Sequence, residues 1–162
     1  MRTVNWLFVV SVALFISGIG FVIAGARAGR VPRPAEAAVA TTPVASVRQI
    51  MSGIVAPASA VVYGAVATTV TAKGMDEKVP ANDAEWARVA DSAAALAESG
   101  NLLLMGGRAV DQGDWATISR ALIEAANTAL KAAEAKSADG VLEAGGAINE
   151  TCDNCHAKYQ RQ

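Results

Sequence analysis

Apolar positions fall along this chain in two different ways. From Val4 to Ala26 they are almost unbroken, reading VNWLFVVSVALFISGIGFVIAGA, with Arg2 before the run and Arg27, Arg30 and Arg33 after it. About twenty such residues in a helix match a hydrocarbon core of roughly 30 Å, whereas the apolar part of a cleaved signal is about 7 to 15 residues long. Length therefore favours a retained membrane anchor. Ala24-Gly25-Ala26 is nonetheless a small-x-small cleavage pattern, and the three arginines lie on the side that the positive-inside tendency keeps in the cytoplasm. Under either reading, residues 1–28 are an anchor or a signal that exports the rest of the chain. Residues 29–42, rich in Pro and Ala without an apolar period, are expected to be an extended tether.

Over residues 43–162 the apolar positions recur at helical spacing. Val44, Val47, Met51, Ile54 and Ala58 form a first stripe, with Pro57 predicting a break or kink near its end. Thr68 to Ala81 shows neither a period of two nor one of 3.6 and is expected to be a loop. Asn82 or Asp83 can cap a second helix with the stripe Trp86, Val89, Ala93, Leu96, Gly100 and Leu103, ended by Gly106-Gly107. Asp111 or Asp114 opens a third, with Trp115, Ile118, Leu122, Ala125, Ala129 and Ala132, which runs out near Lys136 to Ser137. The fourth begins by Asp139 and carries Val141, Gly145, Ile148, Cys152, Cys155 and Tyr159. Four helices, each with one apolar face, predict an all-α, antiparallel four-helix bundle behind the amino-terminal segment. No strand pair and no internal repeat is expected.

Composition narrows the picture. Hydrophobic residues make up 52% of the 162 positions but aromatics only 5%, which favours helices packed through small side chains over a β-sandwich. With the four arginines of the amino-terminal segment set aside, 10 basic and 15 acidic groups remain. An acidic domain without clustered Lys or Arg lacks the footprint of phosphate-backbone binding, so nucleic acid is not the expected partner.

The candidate chemistry lies near the carboxyl end. Cys152-Asp153-Asn154-Cys155-His156 is a C-x-x-C-H run, the attachment pattern for haem c: two thiols form thioethers with the porphyrin vinyl groups and the next imidazole ligates iron. On a helix these three side chains project from one side, towards the edges and centre of one macrocycle. Rival readings fit less well. A thioredoxin-type C-x-x-C should open a helix after a strand, a structural zinc site needs a fourth ligand, and a disulfide over three helical residues is strained.

His156 is the sole histidine, so a second histidine from this chain cannot occupy the sixth iron position. That leaves a methionine, a weaker donor or an open site. Met75 lies in the polar segment and Met105 beside the glycines that end the second helix, while Met51 lies among Val47, Ile54 and Val55. Met51 is the candidate sixth ligand; the plain alternative is core filling, which methionine does well.

These residues resemble the class II c-type cytochromes, the cytochrome c′ family, from about Val44 to the carboxyl terminus. The resemblance rests first on Cys152-x-x-Cys155-His156-x-x-Tyr159 near the carboxyl end, then on Val47-Arg48-Gln49-Ile50-Met51 and Glu85-Trp86. The stretch from Asn101-Leu102-Leu103-Leu104 to Arg108, followed by Trp115, adds to it. It implies a four-helix bundle with haem between the first and last helices, Met51 as sixth ligand, and Arg48 near a haem propionate. One departure is that Gln160, not a basic residue, follows Tyr159.

The expected function is one-electron transfer on the periplasmic side of a bacterial inner membrane, by a carrier that is not an enzyme. The carrier is anchored by its amino-terminal helix or, alternatively, soluble after cleavage. Redox proteins, including a membrane oxidoreductase or a reaction centre, are the expected partners, and the resemblance leaves a homodimer open. Two other readings stand beside it: a five-coordinate protein that binds NO or CO, and an accessory haem subunit of a respiratory or photosynthetic membrane complex.

Overall fold

The computed structural model describes residues 2–28 and 41–160. The chain divides between residues 40 and 41 into two units. The first holds α1 (Arg2–Ala28), whose stretch Thr3–Phe21 is long and apolar enough to cross a membrane. The candidate cleavage site at Ala24 to Ala26 lies within this helix, while the expected tether over residues 29–40 lies outside the described residues. The second unit begins two residues earlier than the predicted domain start. Pro43 already lies against Gly107, and the Arg108 Nε donates to the Ala45 carbonyl at 3.0 Å.

The first rod of this unit is α2 (Val47–Ile50), a π-helical turn (Met51–Val55) and α3 (Ala56–Ala65), joined without a break. Ser46 caps it: its hydroxyl accepts from the Gln49 N–H while the Gln49 side chain accepts from the Ser46 N–H. Pro57 lies two residues beyond the wide turn. In an α-helix its ring would press on the carbonyl four residues back and leave that carbonyl without an amide partner. Here the Ala56 N–H instead reaches five residues back, to the Met51 carbonyl. The expected break thus takes the form of a π turn, and the rod runs on for eight residues past Pro57 rather than ending near it.

The extra residue moves the buried face. Ile50, Val55, Ala58, Val62 and Ala65 are buried, a step of five followed by steps of three and four. The predicted stripe fails at its start: Val44 is 94% exposed, and Val47, Met51 and Ile54 are half-buried.

The segment expected to be a loop forms an antiparallel pair, β1 (Ala67–Thr71) with β2 (Gly74–Lys78), in which Thr68 faces Glu77 and Val70 faces Met75. The domain is therefore mostly helical with one small sheet, not all-α. The β-branched run Thr68-Thr69-Val70-Thr71 suits a strand, and Gly74, at φ +130°, permits the tight return. Every residue of both strands is exposed, so no alternation marks them in the sequence.

α4 (Asp83–Leu104) follows the predicted stripe: Trp86, Val89, Ala93, Leu96, Gly100 and Leu103 are all buried. Its cap is Asn82, whose Oδ1 accepts from the Glu85 N–H at 3.0 Å. In α5 (Asp114–Glu134) the buried residues are Trp115, Ser119, Leu122, Ala126, Ala129 and Ala133, while Ile118, Ala125 and Ala132 are half-buried. α6 (Ala138–Tyr159), capped by Ser137, buries Val141, Ala144, Gly145, Ile148 and Thr151. α5 packs along both α4 and α6, and α3 packs against both as well. Neighbours run in opposite directions. The start of α4 meets the end of α5 through Asp83 and Lys136, and the start of α5 meets the end of α6 through Asp114 and Lys158. Gly100 lets α4 and α5 approach closely, since a Cβ there would lie 3.0 Å from the Ser119 carbonyl oxygen. Burying each large apolar side chain of these faces contributes about 1.5 to 3 kcal/mol.

Candidate functional site

At the end of the domain where the chain enters and leaves, three helices and the π turn leave an apolar cleft. Met51 and Val55 line it from the π turn, Leu103 from α4, Ile118, Ser119 and Leu122 from α5, and Thr151, Cys152, Cys155 and His156 from α6. Cys152 and Cys155 are half-buried free thiols, and His156 is exposed at the rim.

The last turn of α6 is fastened to the start of α5 beside this cleft. Beyond His156, Lys158 pairs with Asp114, and the Tyr159 hydroxyl donates to Asp111. The Tyr159 ring meets Trp115 edge to face at 5.1 Å, and the Trp115 indole N–H donates to the Leu103 carbonyl at 2.9 Å. Asp111 also accepts the backbone N–H groups of Gly113 and Trp115. The carboxyl group of Asp111 is held below the usual range, first by the Tyr159 hydroxyl and then by the Trp115 amide. Asp111 thus organises the start of α5 and ties the end of α6 to it.

On the other side, the Tyr63 ring of α3 lies against Gly145 of α6. Burial, then the Cys152 thiol and the Asp153 carboxylate, push the Tyr63 hydroxyl up to about 12. Burial also pushes up both thiols; the Tyr63 hydroxyl opposes this at Cys152, whereas at Cys155 the neighbouring Cys152 adds to it. Such thiols stay protonated near neutral pH, unlike the lowered thiolates of exchange enzymes at helix starts.

Of the three candidate methionines, only Met51 lines the cleft. Met75 is 67% exposed on β2, and the thioether of Met105 accepts from an Arg108 N–H at 3.2 Å. Arg48 is exposed on α2, one turn before Met51, and is not among the lining residues. The periodicity of the sequence did not point to Thr151, Ser119 or Tyr63. Two are polar on otherwise apolar faces and the third is exposed, so hydrophobic spacing carries no signal for them.

The donor set fits a covalently held porphyrin: two thiols and an imidazole from one helical stretch, a thioether across the cleft, and apolar walls between. Among the described residues no three His, Cys, Asp or Glu side chains converge as a site for a bare ion. The free volume of the cleft is about 40 Å³, room for a few waters, so a macrocycle needs its walls to part. Comparison with protein families, curated proteins and solved structures gives no match to this chain.

Proposed function

We propose that this chain is a monohaem c-type cytochrome of the cytochrome c′ kind, a membrane-tethered carrier of single electrons with haem c bound in the cleft of a four-helix bundle. The observation that carries this reading is that Met51 and the Cys152, Cys155 and His156 set line one apolar cleft from opposite elements. The up-and-down packing of α4, α5 and α6, with the α2–α3 rod against α4 and α6, supports the bundle.

When bound, haem supplies a reversible ferrous–ferric couple. Cys152 and Cys155 would hold the porphyrin through thioethers, and His156 and Met51, which line the same cleft, would be the protein ligands of its iron. Val55, Leu103, Ile118 and Leu122 keep water from the ligand faces, so the low-dielectric walls contribute to the potential. Lys158, Tyr159, Asp111 and Asp114 hold the attachment turn against α5. A thioether in the cleft wall favours electron transfer over binding of NO or CO, because Met51 would fill the position that such a ligand needs. In this reading α1 is the membrane anchor and the domain lies on the periplasmic side, within reach of a membrane partner. The excess of acidic groups suits docking to a basic surface.

The test is maturation of the chain with haem in a periplasm, followed by optical spectra of the oxidised protein, the reduced protein, and the reduced protein under carbon monoxide. A low-spin spectrum with a methionine-to-iron charge-transfer band that Met51→Ala abolishes is the expected result. High-spin iron that takes up carbon monoxide and ignores Met51→Ala would move the assignment to gas binding, and a chain without covalent haem would end the whole reading.

A further inference from the structure

Resting on the reading above, we infer that Pro57 is a positioning residue for the sixth iron ligand: the π turn it imposes sets Met51, rather than Ser52, against the cleft. The turn covers Met51–Val55, ending two residues before Pro57, and its diagnostic bond runs from the Ala56 N–H to the Met51 carbonyl. Single π turns inside α-helices recur at functional sites because the inserted residue re-aims the side chains before it.

Register makes the consequence specific. Val62, Ala58 and Val55 are buried in the α3 half of the rod and its junction, and stepping back from Val55 by an ordinary α-turn of four leads to Met51. In a straight helix, then, Met51 would occupy the core position, and the residue after it, Ser52, would come to the cleft. The observed step of five gives the core position to Ile50, which is 1% exposed, and leaves Met51 half-buried on the cleft wall. The amino end of the rod is independently held by the Ser46–Gln49 capping box and by Arg108 on Ala45. The wide turn absorbs the mismatch between that anchor and α3. Gly53 lies inside the turn with nothing within 4 Å of where its Cβ would be, so no neighbouring element packs on the turn at that position.

The experiment compares Pro57→Ala with Pro57→Ala carrying a deletion of Gly53, each matured with haem and compared with wild type. Removing the proline lets the rod adopt α register, so the methionine-to-iron band should be lost and iron should become high-spin while covalent haem is retained. Deleting one residue from the straightened turn puts Ile50 four positions before Val55, one α-turn away, and returns Met51 to the cleft. The band should therefore reappear. A Pro57→Ala protein with a full wild-type band overturns the inference, as does a double variant that binds haem covalently but does not regain the band. If Pro57→Ala alone does not fold, the double variant decides. The wild-type and Met51→Ala spectra judge the cytochrome reading separately, because a chain that never shows the band fails before Pro57 is at issue.

Discussion

α4 and the rod formed by α2, the π turn and α3 pack against each other with similar residues, yet their buried faces obey different rules. α4 keeps steps of three and four from Trp86 to Leu103 and is buried at every one of them. The rod keeps that rhythm only from Val55 onward and takes a step of five before it. The regular helix does nothing but fill the core, apart from Leu103 at its end. The irregular one brings a thioether to the cleft. The unbroken period of α4 marks packing, and the break in the rod coincides with the residue that lines the cleft, Met51.

The sharpest way to break this comparison is to delete the same chemistry at two positions of the rod. Ile50→Ala and Ile54→Ala each remove the same atoms, and a straight α-helix read from the apolar stripe would bury Ile54. With the π turn, Ile50 is in the core and Ile54 is half-buried. Ile50→Ala should cost about 2 to 5 kcal/mol, comparable to Leu96→Ala in α4, and Ile54→Ala less than about 1 kcal/mol. Denaturant unfolding of the three variants measures this. Equal losses at positions 50 and 54 would mean that the rod has no register shift.

The same contrast explains how much was legible in the sequence. Cys152, Cys155 and His156 stand out by their spacing and Met51 by its apolar neighbours and the family resemblance, and all four line the cleft. The α4 stripe is complete because nothing interrupts its period. On α5 the true face is displaced by one residue at Ser119, Ala126 and Ala133, because the close approach at Gly100 buries a serine that an apolar count omits. Pro57 signals a disturbance, but the sequence does not say whether the helix will end, kink or widen. The hairpin was invisible for the opposite reason: with both faces in solvent, neither selection for a core nor alternation is imposed on it.

A middle-sized effect is expected where the end of α6 is tied to the start of α5. Asp111 titrates below the usual carboxyl range because Tyr159 donates to it, so its contribution is full above the unfolded value near ~3.9 and is lost as pH falls through the folded value. Tyr159 is shifted the other way, upward, by burial and then by Asp111. Its contribution is full below the unfolded value near ~10 and is lost as pH rises through the folded one. The bond therefore stabilises the end of α6 between those limits. Tyr159→Phe keeps the edge contact with Trp115 and removes only the hydroxyl. Its melting temperature should lie below that of wild type at neutral pH, and the two curves should converge in acid and again in strong alkali. A gap that stays constant with pH would show that the tie adds nothing.

The smallest effect belongs to the other end of the domain, away from the cleft. Val70 and Met75 face each other across the hairpin at 75% and 67% exposure, so neither loses much contact with water on folding. A two-stranded pair is marginal on its own, and here Lys78 Nζ reaches back to the Gly64 carbonyl at 2.6 Å, at the end of α3. That link makes the hairpin depend on the rod, while the rod's buried face does not include the hairpin. Replacing Val70 and Met75 together by Ser should change unfolding by less than about 0.5 kcal/mol and leave the spectrum of the matured protein as it was. A larger loss would mean that the strands carry stability their exposure conceals, and that the two ends of the rod are coupled through α3 rather than separated by the π turn.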